Sequence, residues 1–186
     1  MATADRPPDH IDLGDVVLRA PRLDDAEALL AATTVDLDHL GPWMAWATPE
    51  QNTLDQRRAF IQEDLQRPEG DRSATYLVVD PADGTVLGST GLHDRVGPDG
   101  LEVGYWLASR VTGRGIMTRA GAALVEVALA RPGVTRVEVR CDEANHRSAA
   151  IPRRLGFTLA RTMDSEVTAP AETGRQQIWV LAADGP

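Results

Sequence analysis

The 186 residues predict a single α/β domain built on one mixed sheet with helices on both faces. Three observations carry this. Residues 76–107 read as three short strands joined by two tight turns, Pro81-Ala82-Asp83-Gly84 and Gly97-Pro98-Asp99-Gly100. A glycine pair, Gly113 and Gly115, then follows a strand and opens a segment whose apolar residues Leu124, Val125, Ala128 and Leu129 recur at helical spacing. After Pro132-Gly133 the chain alternates basic and apolar side chains from Arg136 to Cys141, a strand pattern, before a further helix and two more strands.

Taken in order, Val16–Ala20 is a first strand closed by Pro21, and Asp24 offers an N-cap for a helix running to about Thr33. Gly41–Trp46 is an aromatic loop. Thr53 caps a second helix with Phe60, Ile61 and Leu65 on one face, ended by Pro68 and Gly70. The strands are Tyr76–Val79, Thr85–Leu92 and Leu101–Leu107, followed by a helix over Met117–Ala130 and a strand over Arg136–Cys141. A helix over Asn145–Leu155 contains Pro152, which removes a backbone hydrogen bond at a cost of about 3 kcal/mol in an ordinary helix interior. Strands near Thr158 and over Gln177–Leu181 close the chain. No repeat or linker marks a boundary, so residues 1–186 form one domain, with the polar segment 1–14 loosely packed.

Composition narrows the function. Cys141 is the single cysteine, so neither an intrachain disulfide nor a cysteine-based zinc site is available, and no metal is expected. All 19 basic residues are arginine, which reads as a GC-rich coding bias. Residues 1–71 carry 15 acids against 6 arginines, whereas residues 72–186 are balanced at 13 of each. A chain of net charge −9 lacks the basic face that nucleic acid requires. The acidic N-terminal part either keeps the protein soluble or attracts a cationic substrate. No apolar run approaches the roughly 20 residues that span a bilayer, and the N-terminus has no signal-peptide stretch, so a cytoplasmic location is expected.

Strand, glycine loop and helix in succession make an anion site. Glycines admit close approach, and free N–H groups at the helix start point outward, with Arg114 and Arg119 adding charge. The loop is not a P-loop, since no Gly-Lys-Ser/Thr follows, and Thr118 stands where a dinucleotide fingerprint needs its third glycine. Four segments in this order, Gly104-Tyr105-Trp106-Leu107-Ala108, Gly113-Arg114-Gly115-Ile116-Met117-Thr118, Asn145-x-x-Ser148 and Ile151-Pro152-Arg153-Arg154-Leu155-Gly156-Phe157, resemble the GNAT acetyltransferases. Among these the chain is most similar to the branch acting on N-termini of ribosomal proteins. The motifs cover about a third of the chain, and the Pro42-Trp43-Met44 loop extends the likeness.

The resemblance implies a mostly antiparallel sheet with a splayed central strand pair, and acetyl-CoA as co-substrate. Its pyrophosphate would sit on Thr112, Gly113, Arg114, Gly115, Ile116, Met117 and Thr118. Arg110, Gly113 and Gly115 match the family pattern literally, but alignment with strand and helix favours the frame of Thr112, Gly115 and Met117, in which Thr112 and Met117 depart from it. The pantetheine arm would lie along Leu107 and Ala108, with Asn145 bonding it from the other side. Acyl transfer requires a deprotonated amine, an oxyanion donor and a proton or hydrogen bond for the departing thiolate. The resemblance assigns the oxyanion to a backbone N–H at Leu107 or a neighbour, the base to Glu102 and the thiolate to Ser148. It places Trp43 and Trp46 at the acceptor pocket; His93 is an alternative base. Tyr76 and Tyr105, the two tyrosines, lie far in sequence from the Ser148 helix and are set aside. The acceptor is then a protein N-terminus or a small amine such as an antibiotic or toxin. A non-catalytic acyl-CoA sensor is the reading from another class. A homodimer is implied by resemblance alone.

Overall fold

The computed structural model describes residues 7–68 and 70–183. Its strands are β1 (His10–Asp12), β2 (Val17–Arg19), β3 (Ala74–Val79), β4 (Val86–His93), β5 (Gly100–Leu107), β6 (Arg136–Asp142), β7 (Thr158–Asp164) and β8 (Arg175–Ala182). Its helices are α1 (Ala26–Thr34), α2 (Leu37–Leu40), α3 (Leu54–Leu65), α4 (Ile116–Leu129) and α5 (His146–Arg154). The strands form one sheet in the order β1-β2-β3-β4-β5-β6-β8-β7. β5 and β6 run parallel, and the other neighbours run antiparallel.

The expected succession of strands and helices is present, with two short additions, β1 and α2, that carry too few residues to show a period. Of the N-terminal segment 1–14, residues 1–6 lie outside the described residues. His10–Asp12 pairs with β2, and the Tyr76 hydroxyl donates to the Pro8 carbonyl at 2.8 Å. The first helix begins later than Asp24 would place it. A 3-10 turn over Leu23–Asp25 precedes it, with the Asp25 carboxylate accepting the Arg22 N–H at 2.7 Å and both arms of Arg19 at 2.6 and 2.7 Å. Thr53 caps α3 as its sequence implies, accepting the Gln56 N–H at 3.3 Å. The buried stripe of α3 differs from expectation: Phe60 and Leu65 are exposed, and Arg57 joins Ile61 on the inner face one turn apart.

The sheet separates two apolar layers. On one side Val103, Val137 and Val139 pack against Ala120, Leu124 and Ala128 of α4 and Ala149 of α5. On the other, Leu77, Val79 and Val86 pack against Ala26, Leu29 and Ala32 of α1 and Ile61 of α3. α4 and α5 approach closely enough that a side chain on Gly121 would meet Leu155 Cδ1 at 3.0 Å.

β5 and β6 pair at only three positions, Gly100 with Arg136, Leu101 with Val137 and Glu102 with Glu138. β5 stays bonded to β4 as far as Leu107, and β6 to β8 as far as Asp142. Beyond Glu102 and Glu138 the two strands therefore diverge, and the gap between them opens in the middle of the sheet.

Candidate active site at the strand splay

The glycine loop stands at the open end of the gap. Ala108 N–H donates to Leu87 O at 2.7 Å, and a 3-10 turn over Ser109–Val111 follows. Gly113 and Gly115 adopt φ of +78° and +72°, a left-handed conformation in which any other residue would be strained. Gly115 is the N-cap of α4, and Arg119 N–H bonds back to Gly115 O at 3.1 Å, so the N–H groups of Ile116, Met117 and Thr118 have no helical acceptor. The side chains of Ile116 and Met117 are buried in the core, so Met117 departs from the family pattern without crowding the loop. Thr112, Gly113, Arg114 and Gly115 form an exposed rim. The two flanking arginines are committed elsewhere: Arg119 pairs with Asp15 at 2.7 Å, and Arg110 donates to Val86 O at 3.3 Å.

Strand alternation fixes which backbone groups line the gap. Residues of an antiparallel pair bond their partner at every second position. Ala108 faces β4, and so do Trp106 and Gly104; the latter's carbonyl also accepts Thr90 Oγ1 at 3.0 Å. The Val103 carbonyl and the N–H and C=O groups of Tyr105 and Leu107 thus point toward the unpaired side. Such free edge groups fit a linear ligand that carries amides, as the pantetheine arm does. With the glycine cradle at its mouth, the chain's own groups fit acetyl-CoA.

Side chains alternate as well. Tyr105 projects to the α4–α5 face and meets Ser148. Asn145 caps α5, its Oδ1 accepting the Ser148 N–H at 3.1 Å. Pro152 lies inside α5, four residues after Ser148, and has no N–H to give the Ser148 carbonyl. The Tyr105 hydroxyl takes that place, donating to Ser148 O at 3.0 Å, while Ser148 Oγ donates to the Tyr105 hydroxyl at 3.3 Å. Burial raises the Tyr105 phenol well above its ordinary value, so it stays protonated. Cys141 on β6 is also buried; burial pushes its thiol up, and the Ser148 hydroxyl offsets part of that. Ser148 therefore sits between a β5 side chain and a β6 side chain. Sequence distance had set Tyr105 aside, and the fold restores it; the signal for it was Pro152, which leaves an unpaired carbonyl four residues back.

Glu102 lies on the opposite face, at the base of the gap. It is 4% exposed, and both of its oxygens accept from Arg95, at 2.6 and 2.9 Å. Glu138 beside it accepts from Arg140 at 2.8 Å and Arg136 at 3.1 Å, and Arg140 is 3.8 Å from Glu102. Like charges abreast on paired strands repel, and these three guanidiniums offset that. His93, the cross-strand partner of Glu102, folds over Gly104, where a β-carbon would meet its Nε2 at 2.8 Å. Burial first and the Arg95 charge second hold the imidazole below its ordinary value, with Glu102 pulling the other way. Farther along this face Trp106 meets Trp46 edge-on at 6.0 Å between ring centroids. Trp43 is half-buried in the same turn, and Ala171 N–H donates to Pro42 O at 2.9 Å, tying the loop between β7 and β8 to it. Glu102 and Ser148 are thus on opposite faces of the sheet, separated by the gap.

A sheet opened between one parallel pair, with a glycine cradle at the mouth of the opening, is the architecture of an acyl-CoA-dependent acyltransferase. The chain matches the acetyltransferase (GNAT) domain over residues 15–158. It is 30% identical over 144 residues to YdaF of Bacillus subtilis (strain 168), whose name assigns it provisionally to ribosomal N-acetylation; the match covers 76% of this chain and 77% of YdaF. Among solved structures it resembles RimL, a ribosomal alpha-N-protein acetyltransferase in complex with coenzyme A (22% identity, TM-score 0.82, 95% of this chain and 99% of that one). It also resembles the microcin C7 self-immunity acetyltransferase MccE in complex with acetyl-CoA and AMP (21%, TM-score 0.83, 97% and 99%). The chain belongs to the GNAT acetyltransferase family and is an acetyl-CoA-dependent N-acetyltransferase. Among the described residues no helix is long and apolar enough to cross a membrane.

Two outcomes test this geometry. Tyr105→Phe leaves the Ser148 carbonyl without a donor and is expected to cost about 1–3 kcal/mol in urea unfolding. After Pro152→Ala the helix supplies its own N–H, and the same Tyr105→Phe change is expected to cost at least about 1 kcal/mol less; additive costs would show that Tyr105 does not serve that carbonyl. The second concerns pH. The folded chain keeps His93 neutral where the unfolded chain begins to protonate it, so this contribution is full above the ordinary value of 6.5 and is lost as pH falls below it. His93→Gln is expected to flatten the fall in urea midpoint between pH 6.5 and about 5, above the carboxylate range; an unchanged slope rules this out.

Proposed function

We propose that this enzyme acetylates the N-terminal amine of a protein, of the ribosomal class for which YdaF and RimL are named. The observation that carries the reading is the open gap with Ser148 and Tyr105 on one face and Glu102 on the other, so that the two proton transfers of amide formation are kept apart. The likeness to YdaF and RimL, both named for ribosomal N-acetylation, supports a protein N-terminus as the acceptor over a small cation.

In this reading, backbone N–H groups of the Thr112–Thr118 loop hold the pyrophosphate, and the edge groups of Val103, Tyr105 and Leu107 pair with the amides of the arm. The Asn145 carboxamide, its oxygen already given to the Ser148 N–H, offers its NH2 from the other side. The Leu107 N–H, aimed into the gap, receives the oxyanion. Glu102 takes the amine proton through a water, since Arg95 occupies one lone pair on each oxygen and leaves the others free. Ser148 Oγ rests on Tyr105 through a long hydrogen bond and turns its proton to the departing sulfur at small cost. Trp43 and Trp46 wall the acceptor, and His93, held neutral, is the alternative base.

The test is release of CoA thiol from acetyl-CoA with a panel of amine-terminated peptides beside small amines. Turnover of peptides is expected. Turnover confined to small amines would replace the acceptor class, and micromolar acetyl-CoA binding without any turnover would make the chain a sensor. Glu102→Gln is expected to lower turnover at least about tenfold near neutral pH with little change in acetyl-CoA affinity, and Ser148→Ala to slow the single-turnover rate rather than binding. A wild-type rate in either variant removes that residue from the mechanism.

A further inference from the structure

Arg57 is a buried cation with no anion partner among the described residues. It points inward from α3 with 7% of its surface exposed, and its Nε has no hydrogen-bond partner. The other arginines of α3 and its end are paired, Arg58 with Asp55 at 3.7 Å and Arg67 with Asp64 at 2.6 Å, and the arginines at the base of the gap are held by Glu102 and Glu138. Among the described residues Arg57 has the face of Trp46, 4.8 Å from its Cζ to the ring centroid, and no carboxylate. Burial alone acts on its titration, with no carboxylate to offset it. A cation over an indole recovers part of the lost hydration, and the buried Nε–H remains an unsatisfied donor. A helix that needed only a core contact here would carry an apolar residue, as the neighbouring turn does with Ile61.

The position gives the charge a use. Trp46 meets Trp106, and Trp106 belongs to the part of β5 that has left β6 and lies on the same face as Glu102. We propose that Arg57, with Trp46 and Trp106, forms an anion subsite of the acceptor groove and receives a side-chain carboxylate of the protein being acetylated. The inference rests on the N-terminal acetyltransferase reading and names its substrate class: N-termini with Asp or Glu close behind the reactive residue. Steps of 4.8 and 6.0 Å separate Arg57 Cζ from the Trp106 ring. The two legs bound the separation from above, and an extended peptide covers it in at most about three residues at roughly 3.3–3.6 Å each, which places the acid at the second to fourth position. A planar guanidinium takes a carboxylate through two parallel bonds, so Asp and Glu are selected over Asn and Gln.

The measurement is kcat/KM by thiol release for peptides of one sequence with Asp or Glu, or Asn or Gln, at positions two, three and four. The wild-type enzyme is expected to favour the best acidic peptide over its amide twin by at least about tenfold, mainly through KM. In Arg57→Met, which keeps an apolar contact for Trp46, the acid-to-amide ratio is expected to fall to about one. Equal use of acidic and amide peptides by the wild-type enzyme overturns the subsite and leaves the N-terminal reading standing. A preference that persists in Arg57→Met assigns it to another residue and also overturns the proposal. Failure to acetylate any peptide overturns both.

Discussion

The rest of the molecule depends on the three-rung parallel pairing of β5 with β6. Each of these strands has a full antiparallel partner on its outer side, β4 for one and β8 for the other. The sheet therefore survives a break in its middle, because neither strand relies on the other for its bonding. Twist does the rest: two halves of a sheet, each turning about its own strands, diverge once the rungs between them end. The break leaves an unpaired strand edge inside the protein. Such an edge invites association when it lies at the rim of a sheet; enclosed between two helical layers, it admits only a slender ligand with amide groups of its own.

The last rung sets two carboxylates side by side, an arrangement that needs compensation. Arg95, Arg136 and Arg140 supply it, and the ion pairs tie the turn after β4, β5 and β6 together at the base of the gap. At this point structure and chemistry meet in one residue. The contacts that fix Glu102 in place also occupy one lone pair on each of its oxygens, so in the proposed role the carboxylate acts through those that remain and through water. The alternation of β5 then carries function to both faces. Glu102, Gly104 and Trp106 turn toward α1 and α3, whereas Val103, Tyr105 and Leu107 turn toward α4 and α5. One strand thus presents Glu102 on one face and Tyr105, the partner of Ser148, on the other, without either side chain reaching across.

Much of this was legible in the sequence because it is local. Turn residues, alternation and the glycine pair gave the meander, the cradle and α4 nearly to their ends, and Thr53 and Asn145 cap the helices their positions imply. What escaped depends on faces meeting across the fold. Tyr105 is 43 positions from Ser148 along the chain, and only the sheet brings them together. Arg57 was invisible for a different reason. A charged residue in a helix reads as solvent-facing, so periodicity runs the apolar stripe of α3 through Phe60 and Leu65, which are exposed. A helix that spends an inner position on arginine breaks the pattern that periodicity detects, and the sites where this happens are those where burial serves something other than packing. β1 and α2 escaped by brevity alone.

The two sides of the site are joined by one further contact. Asp36, at the corner between α1 and α2, is 6% exposed and accepts both the Ser109 N–H at 2.8 Å and the Ser109 hydroxyl at 2.5 Å. Ser109 begins the 3-10 turn that leads from the end of β5 to the glycine loop, and α2 leads from Asp36 directly to the Trp43–Trp46 turn. A buried carboxylate with two donors holds its partner far more firmly than loop backbone holds itself. The segments leading to the Trp43–Trp46 turn and to the glycine loop are therefore tied together by the same carboxylate. An acetyltransferase must bring an amine to a thioester within bonding distance, and the sheet on one side and Asp36 on the other tie together the segments proposed to hold the two.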